Sequence, residues 1–186
     1  MNIGFIGLGK LGLPVALAIE EKGHNVCGFD INENIINILN TKKLPYTEKG
    51  AESLLQNSKI KFQNMSAVVK NSEIIFVTIQ TPHEEKFEGV TRIPNDRKDF
   101  NYEHLIKGMI DLSAEIDLNG KDKIVVIIST VLPGSINKFI KPVLSPLIKL
   151  CYNPFFIAMG TTIDDFLNSE IILFGVEDQN AVNQVE

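Results

Sequence analysis

Short apolar runs alternate with amphipathic stretches along this chain, and the alternation predicts the fold. The runs at 3–6, 25–29, 73–79 and 123–128 are rich in Ile, Val and Phe, as expected for strands that a parallel sheet buries on both faces. Between them, apolar residues recur three and four positions apart, which is typical of helices. Strands that alternate with helices at this spacing predict an α/β fold with a doubly wound, mostly parallel sheet in three layers.

The weaker parts of the pattern predict the remaining elements. Asn32 can cap the helix that follows the second strand, and Pro142 and Pro146 should divide the helix after residue 135. Further strands are predicted at 60–62, 150–152 and 171–174, and further helices around 67–69, 102–116 and 178–186. A short segment with Leu54 and Leu55 has no assigned type.

The length of the chain bounds its organisation. With 186 residues, 44% of them apolar, it is long enough for one hydrophobic core and short for two, so a single domain over residues 1–186 is expected. Residues 83–100 interrupt the pattern with charges of both signs and predict a long polar loop. Such a loop is often a lid or a binding loop, and the alternative is a solvated connection; the sequence favours neither.

Charge and hydropathy argue against several kinds of partner. The net charge of -5 is unfavourable for binding nucleic acid or an acidic membrane surface. No stretch reaches the roughly 18 apolar residues that a membrane span requires. The N-terminus has the pattern of a strand rather than of a signal peptide, so the expected location is the cytoplasm.

The cysteines and histidines lack the spacing of a metal site. Cys27 and Cys151 fall in predicted strands without a C-x-x-C pair, so buried free thiols are expected. His24 precedes a strand, while His83 and His104 flank the long loop. Solvated roles are favoured for all three histidines, and no metal is predicted.

The most informative stretch is Gly-Leu-Gly-Lys-Leu-Gly at 7–12, which connects the first predicted strand to the first helix. Gly7 permits a tight turn, Gly9 lets backbone N–H groups approach a pyrophosphate, and Gly12 lets helix and strand pack closely. The helix N-terminus adds unpaired N–H donors and a partial positive charge. The second strand ends on Asp30, 18 residues after Gly12, where a carboxylate can accept hydrogen bonds from an adenosine ribose.

The order of these parts is that of a Rossmann-type dinucleotide-binding unit. It predicts NAD rather than NADP, because a 2′-phosphate would meet the charge of Asp30. In such a sheet, ligands bind beyond the carboxyl ends of the strands, so the loops after strands one, two, four and five should share one edge. Besides the glycine turn and Asp30, those loops contain Gln80-Thr81-Pro82 and Ser129-Thr130.

Several candidate residues have two interpretations. Thr130 could hydrogen-bond a ribose or a catalytic water, or could cap the following helix. Lys10 could neutralise pyrophosphate charge or could be solvated. For Glu48, the role of a hydrogen-bond acceptor that orders a loop is favoured over that of a catalytic base. Asp164 and Asp165 have the pattern of a helix cap with acids in the first turn rather than of a paired acid/base site.

Taken together, these motifs resemble the N-terminal domain of the UDP-glucose/GDP-mannose dehydrogenase family, over residues 1 to about 176. Five features occur in the family's order: GLGKLGLPVA with Asp30, PYTEKG at 45–50 followed by Leu54-Leu55, Thr81-Pro82, STVLPG at 129–134, and YNPFF at 152–156 with Gly160 and Asp165-Phe166.

The resemblance implies an NAD site and a reaction. It implies two successive NAD-dependent oxidations of a nucleotide sugar, from the C6 alcohol through a thioester to a carboxylate. The nucleophilic cysteine for that chemistry lies, in the family, in a central helix and C-terminal domain beyond this chain, and the family tends to form dimers. The resemblance and the predicted shared edge together give the candidate cofactor-binding residues, which are Gly7, Gly9, Lys10, Leu11, Gly12, Asp30, Gln80, Thr81, Ser129 and Thr130.

The sequence departs from the family pattern at identifiable places. Phe155 stands where the family has a carboxylate, and Ala158 where it has an arginine. Ile35 replaces a basic residue that often follows the ribose-binding Asp by five positions. The 83–100 loop is longer than the usual connection, and Cys151 is not in the context of the nucleophile.

Three functional interpretations therefore stay open. The chain can be the NAD-binding part of a dehydrogenase that acts with a separate catalytic part, which a helix broken at Glu186 favours. It can be a non-catalytic NAD(H)-binding regulatory or scaffold protein, which Phe155 favours. The third is a β-hydroxyacid or 6-phosphogluconate-type dehydrogenase, whose first strand and turn are similar but whose Ser-Gly-Gly stretch is replaced here by Asn153-Pro154-Phe155.

Overall fold

The computed structural model describes residues 1–87, 95 and 98–185. Within them, one sheet contains β1 (Asn2–Ile6), β2 (Asn25–Phe29), β3 (Lys61–Phe62), β4 (Ile74–Val77), β5 (Lys123–Ile127), β6 (Ile148–Tyr152) and β7 (Gly175–Val176). The strands pair in the order β3-β2-β1-β4-β5-β6-β7. All of these pairs are parallel except β6 with β7. The predicted doubly wound, mostly parallel sheet is confirmed.

Helices follow most of the strands. They are α1 (Gly12–Glu21), α2 (Asn34–Thr41), α3 (Ala51–Asn57), α4 (Met65–Asn71), α5 (Glu103–Asn119), α6 (Thr162–Leu167) and α7 (Gln179–Val185). The residue before α2 is Glu33, so the prediction that Asn32 caps this helix is wrong by one position. The Asn32 side chain instead accepts the N–H of Asn34 at 3.1 Å, in a turn that leads into the helix. After β5 the chain forms a π-helical turn, Ile136–Ile140, and a 3₁₀ turn, Lys141–Val143. Proline therefore divides this region as predicted.

The core lies in two layers, one on each face of the sheet. On one face, β1 and β4 pack against α1, α3 and α6, and the ring of Phe5 stacks on Phe76 with centroids 5.3 Å apart. On the other face, Ile75 and Val77 pack against α4 and α5. Because successive residues of a strand point to opposite faces, β4 is buried along its whole length, which explains its continuous apolar run.

The seventh strand was predicted at the wrong residues. The prediction placed it at 171–174, whereas β7 consists of Gly175–Val176 and runs antiparallel to β6. Tyr152, the last residue of β6, pairs with Gly175, so residues before Gly175 extend beyond the end of β6 and find no partner strand. Ile171 and Ile172 are exposed instead, at 65% and 62%. Apolar composition alone does not reveal where a partner strand ends.

The predicted long loop lies partly outside the described residues, which omit 88–94, 96 and 97. Its two ends are held together where the structure describes them. Asn101 donates its backbone N–H to Pro82 O at 2.7 Å, and Lys98 pairs with Glu84. Whether the loop is a lid stays a prediction.

Both cysteines are buried and free, as the sequence predicts. Burial raises the pKa of the Cys151 thiol to about 11 and also raises that of Cys27. In the described part of the chain, no three His, Cys, Asp or Glu side chains come together in a way that could hold a metal ion. Among the helices of these described residues, none combines the length and the hydropathy of a membrane span.

Candidate functional site

The polar loops predicted to share one edge of the sheet do so. They follow β1, β2, β4 and β5, which include the point where the strand order reverses, since β1 lies between β2 and β4. The backbone N–H of Gly7 donates to Phe29 O at 2.8 Å, which joins the first two loops. Thr81 Oγ1 donates to Thr130 O at 2.6 Å, which joins the last two.

Each of the three glycines of the turn has the conformation or the surroundings that the sequence predicts for it. Gly7 has a φ of +102°, a left-handed conformation that favours glycine. A Cβ on Gly12 would lie 2.3 Å from Gly7 O, so only glycine lets α1 begin this close to the turn. A Cβ on Gly9 would have no neighbour within 4 Å, which leaves the turn open on the side from which a phosphate can approach.

Asp30 is oriented by two backbone N–H groups. Leu8 N donates to its Oδ2 at 2.6 Å, and Asn32 N donates to its Oδ1 at 2.8 Å. A carboxylate oxygen can accept more than one hydrogen bond, so both oxygens keep capacity for an incoming hydroxyl pair. The Asp30 carboxylate therefore stands directly beside the glycine turn.

The loop after β5 places its two polar residues differently. Ser129 is buried, and its Oγ donates to Val77 O at 3.4 Å. Thr130 is exposed on the shared edge. The helical turn that follows begins at Ile136 with Ser135 before it, so Thr130 is not its cap, and that alternative is wrong.

Two tyrosines brace the loop after β5, and neither was predicted from the sequence. The hydroxyl of Tyr102 accepts from Leu132 N at 3.0 Å and from Ser135 Oγ at 3.2 Å, and donates to Asp99 at 2.5 Å. Burial, followed by the hydrogen bond to Asp99, raises the pKa of Tyr102. The hydroxyl of Tyr152 lies 3.4 Å from Val131 N. These roles depend on hydrogen bonds between residues that are far apart in the sequence, so no local pattern reveals them.

The remaining residues of the edge lie on its surface. Lys10 and Gln80 are exposed, and Leu11 and Thr81 are half-buried. Ile35 is buried at 4% exposure and packs in the core below the edge. At this position, the family that the sequence resembles often has a basic residue, whereas the side chain of Ile35 faces inward.

Glu48 forms a second polar cluster and is almost fully buried, at 6% exposure. Its carboxylate accepts hydrogen bonds from Gly160 N at 3.0 Å, Thr162 Oγ1 at 3.0 Å and Ile163 N at 3.4 Å. Next to it, Lys49 Nζ lies 2.6 Å from Asp164. The prediction that Glu48 orders a loop is confirmed, and the loop it orders lies more than a hundred residues away.

Asp164 and Asp165 lie in the first turn of α6, as predicted. Asp165 accepts from Ala158 N at 2.8 Å and from Thr161 Oγ1 at 2.9 Å. The hydrogen bond from Ala158 N holds the pKa of the Asp165 carboxyl below its usual value. These acids therefore fix the turn before α6 rather than forming a pair for proton transfer.

The segment between β6 and α6 is mostly apolar. The Phe155 ring packs against Phe166 with centroids 5.1 Å apart, and both border a cavity of about 150 Å³. Phe156 and Met159 are exposed, at 65% and 64%. This segment offers a ligand aromatic and aliphatic surface, but no acid or base.

Comparison with known proteins shows which family this chain belongs to. The model of the UDP-glucose/GDP-mannose dehydrogenase family, NAD binding domain, matches residues 1–186. The chain belongs to this family. Its fold is the family's Rossmann-type fold, and NAD is the cofactor of this domain.

Individual relatives agree with the family match. The UDP-glucose 6-dehydrogenase of Rickettsia typhi is 34% identical over 97% of this chain and 40% of its own length. The GDP-mannose 6-dehydrogenase of Pseudomonas aeruginosa is 27% identical over 100% of this chain and 43% of its length. A crystal structure of a ternary complex of GDP-mannose dehydrogenase from Pseudomonas aeruginosa has the same fold, with a TM-score of 0.87 at 24% identity over 100% of this chain and 43% of that one. The chain thus spans about two fifths of the length of these proteins.

Proposed function

We propose that the chain binds NAD(H) along the carboxyl edge of its sheet, between the glycine turn and the loop after β5. The observation that carries the proposal is the pairing of the open turn at Gly9 with the oriented carboxylate of Asp30. The turn and the start of α1 supply backbone N–H groups to the pyrophosphate, and Asp30 accepts from the adenosine ribose. In this proposal Lys10, Leu11, Gln80, Thr81 and Thr130 line the rest of the path, whereas the buried Ser129 supports the loop from inside.

The chain in this proposal is the cofactor-binding part of a nucleotide-sugar 6-dehydrogenase. Bound NAD would accept hydride from the sugar C6 in both oxidations. The residues of this chain would hold the cofactor, orient it toward the edge between β4 and β5, and shield it with the 153–159 segment. The Thr130 hydroxyl, exposed at that edge, is a candidate for holding a water. The nucleophilic cysteine would come from the part of the relatives that this chain does not span.

One observation favours a second candidate, a non-catalytic NAD(H)-binding regulatory or scaffold protein. Phe155 packs against Phe166 where the family has a carboxylate, so this site is filled by an apolar contact rather than left for an acid or base. Both candidates share the NAD(H) site and place the chain in the cytoplasm. They differ in the partner, which is a catalytic domain or a second copy in the first and a regulated protein in the second.

The proposal is tested by calorimetric titration of the chain with NADH, with NADPH as the paired ligand. We expect saturable binding of NADH and much weaker binding of NADPH, because the 2′-phosphate would meet Asp30. The Asp30→Ala variant should lose about 1–3 kcal/mol of NADH binding free energy, the cost of a lost charged acceptor. Asp111→Ala removes an exposed carboxylate from α5 and should bind as the wild type does. Failure to bind NADH, or equal binding of NADPH, contradicts the proposal.

A second measurement separates the two candidates. The chain is incubated with NAD and either UDP-glucose or GDP-mannose, and NADH is followed by its absorbance. A chain that binds NADH but produces none alone is consistent with either candidate. Binding of a nucleotide sugar to the NADH-loaded chain then favours the dehydrogenase part, and its absence favours the regulatory protein.

A further inference from the structure

The peptide group between Gly7 and Leu8 is held at both of its polar ends. Its carbonyl oxygen, on Gly7, accepts from Thr78 Oγ1 at 2.8 Å, and its N–H, on Leu8, donates to Asp30 Oδ2 at 2.6 Å. Thr78 follows β4 and Asp30 follows β2, the two strands that flank β1. The first peptide of the glycine turn therefore joins the ends of three neighbouring strands.

The position of Thr78 is fixed by the sheet. Its backbone N–H donates to Ile6 O at 2.9 Å, which continues the pairing of β1 with β4 by one residue. Its hydroxyl occupies the space that two glycines leave free, since a Cβ on Gly7 would lie 2.5 Å from Thr78 Oγ1 and one on Gly12 would lie 2.6 Å from it. The hydroxyl and the two glycines thus form one tightly fitted unit.

We propose that Thr78 is a positioning residue for cofactor binding. It fixes the orientation of the Gly7–Leu8 peptide, and that peptide in turn holds the Asp30 carboxylate toward the ribose. The inference rests on the proposed NAD(H) site and extends it to a residue that acts through Asp30.

The electrostatics of the peptide explain why the hydroxyl matters. Rotation of the Gly7–Leu8 peptide would turn its carbonyl oxygen toward the carboxylate of Asp30, where the two would repel each other. It would also break the hydrogen bond that Leu8 N donates to Oδ2. With Thr78 in place, such a rotation also breaks the hydrogen bond to Gly7 O. Without the hydroxyl, the part-buried carbonyl has lost that donor, so the present orientation becomes less favourable.

Thr78 and Asp30 should therefore be coupled in their effect on NADH affinity, and a double-mutant cycle measures the coupling. Thr78→Val, which replaces the hydroxyl by a methyl group, should raise the NADH Kd about fivefold, the factor for one hydrogen bond. In the Asp30→Asn background, where the carboxylate is already absent, Thr78→Val should change the Kd by less than about twofold. Effects that multiply independently in the double variant overturn the inference.

Two further variants test whether the hydroxyl itself is responsible. Thr78→Ser keeps the hydroxyl and should restore NADH affinity to near the wild-type value. Ser113→Ala removes another buried hydroxyl, which accepts from Ser145 N at 3.1 Å on the far side of α5, and should leave NADH affinity unchanged. If Ser113→Ala weakens NADH as much as Thr78→Val does, loss of stability rather than positioning is the cause.

A measurement without ligand separates this inference from the proposed function. Hydrogen exchange of the Leu8 amide reports directly on its hydrogen bond to Asp30. Thr78→Val should speed exchange at Leu8 about fivefold or more while amides of β5 keep the wild-type rate. Unchanged exchange at Leu8 overturns the positioning role even if NADH binds. Failure of the wild-type chain to bind NADH contradicts the proposed function. The exchange test still decides whether Thr78 fixes the Leu8–Asp30 hydrogen bond, because it uses no ligand.

Discussion

Glu48 accepts a hydrogen bond from the backbone N–H of Gly160, a residue 112 positions further along the chain. Gly160 has a φ of +100°, and Lys49 N donates back to Gly160 O at 2.9 Å. The loop before α3 and the turn before α6 are therefore joined by a buried carboxylate and by a backbone hydrogen bond. Through this contact, the loop holds the apolar segment that follows β6 in place beside the candidate cofactor edge.

Removal of the Glu48 carboxylate should destabilise the chain. Glu48→Ala leaves three donors without their acceptor, two of them buried and one half-buried. We expect a loss of about 2–3 kcal/mol in the free energy of unfolding, measured with urea. Glu52→Ala, an exposed substitution in the first turn of α3, is the matched control and should change stability by less than about 0.5 kcal/mol. Equal stability of the Glu48 variant and the control would show that the carboxylate is dispensable for the fold.

Two glycines of the same turn should respond differently to alanine. Gly9→Ala places a methyl group in open space, so the thermal unfolding temperature should stay at the wild-type value. The same methyl group points to where the pyrophosphate is proposed to lie, so NADH affinity should fall at least about tenfold. A Gly9→Ala variant that binds NADH normally places the pyrophosphate elsewhere.

Gly12→Ala should act on the fold itself. Its methyl group would lie 2.3 Å from Gly7 O and 2.6 Å from Thr78 Oγ1, so α1 or the turn must move. We expect a loss of about 1–3 kcal/mol in the free energy of unfolding, the usual cost of overpacking. Chemical denaturation measures this free energy, with Gly9→Ala as the control. A Gly12→Ala variant as stable as the wild type would show that the turn can shift without cost.

The stability of the chain should fall at high pH because of Cys151. Its pKa is raised from 9.0 to about 11 by burial, so the folded chain keeps the thiol proton in a range where the unfolded chain loses it. The stabilisation is complete below pH 9 and is lost as the pH rises toward 11, by about 2–3 kcal/mol in all.

Comparison with Cys151→Ala isolates this contribution. The pKa values of Cys27 and Tyr46 are also raised by burial, that of Tyr46 to about 12, so the wild-type profile contains more than one group. The difference between the two unfolding profiles should shrink as the pH rises from 9 to 11. A difference that is independent of pH contradicts the prediction.

Restoration of a carboxylate at position 155 should not create a dehydrogenase. Phe155→Glu replaces a ring that packs 5.1 Å from Phe166, so we expect a less stable chain. It should form no NADH from NAD with UDP-glucose or GDP-mannose, because Cys27 and Cys151 are both buried with raised pKa values and neither can act as the nucleophile. Phe155→Leu is the apolar control for stability, and detectable NADH from the Glu variant would overturn this account.

Much of the fold could be predicted because its signals are contiguous. The buried strand β5 and the unit from β1 through the glycine turn to Asp30 each lie within a short stretch, so periodicity, glycine spacing and one acid reveal them together. The seventh strand was misplaced because 171–174 is as apolar as a buried strand but extends beyond the end of β6. Its location depends on where the partner strand stops.

The doubly wound sheet, the glycine turn with Asp30 beside it, and the family could all be inferred from the sequence alone. These depend on local backbone conformation and on which residues avoid water, and both are encoded position by position. The hydrogen bonds from Thr78 Oγ1 to Gly7 O and from Gly160 N to Glu48 are revealed only by the folded structure. A hydrogen bond requires its two atoms to approach within about 3 Å. Between residues so distant in the chain, that approach depends on how the strands align and how the loops pack.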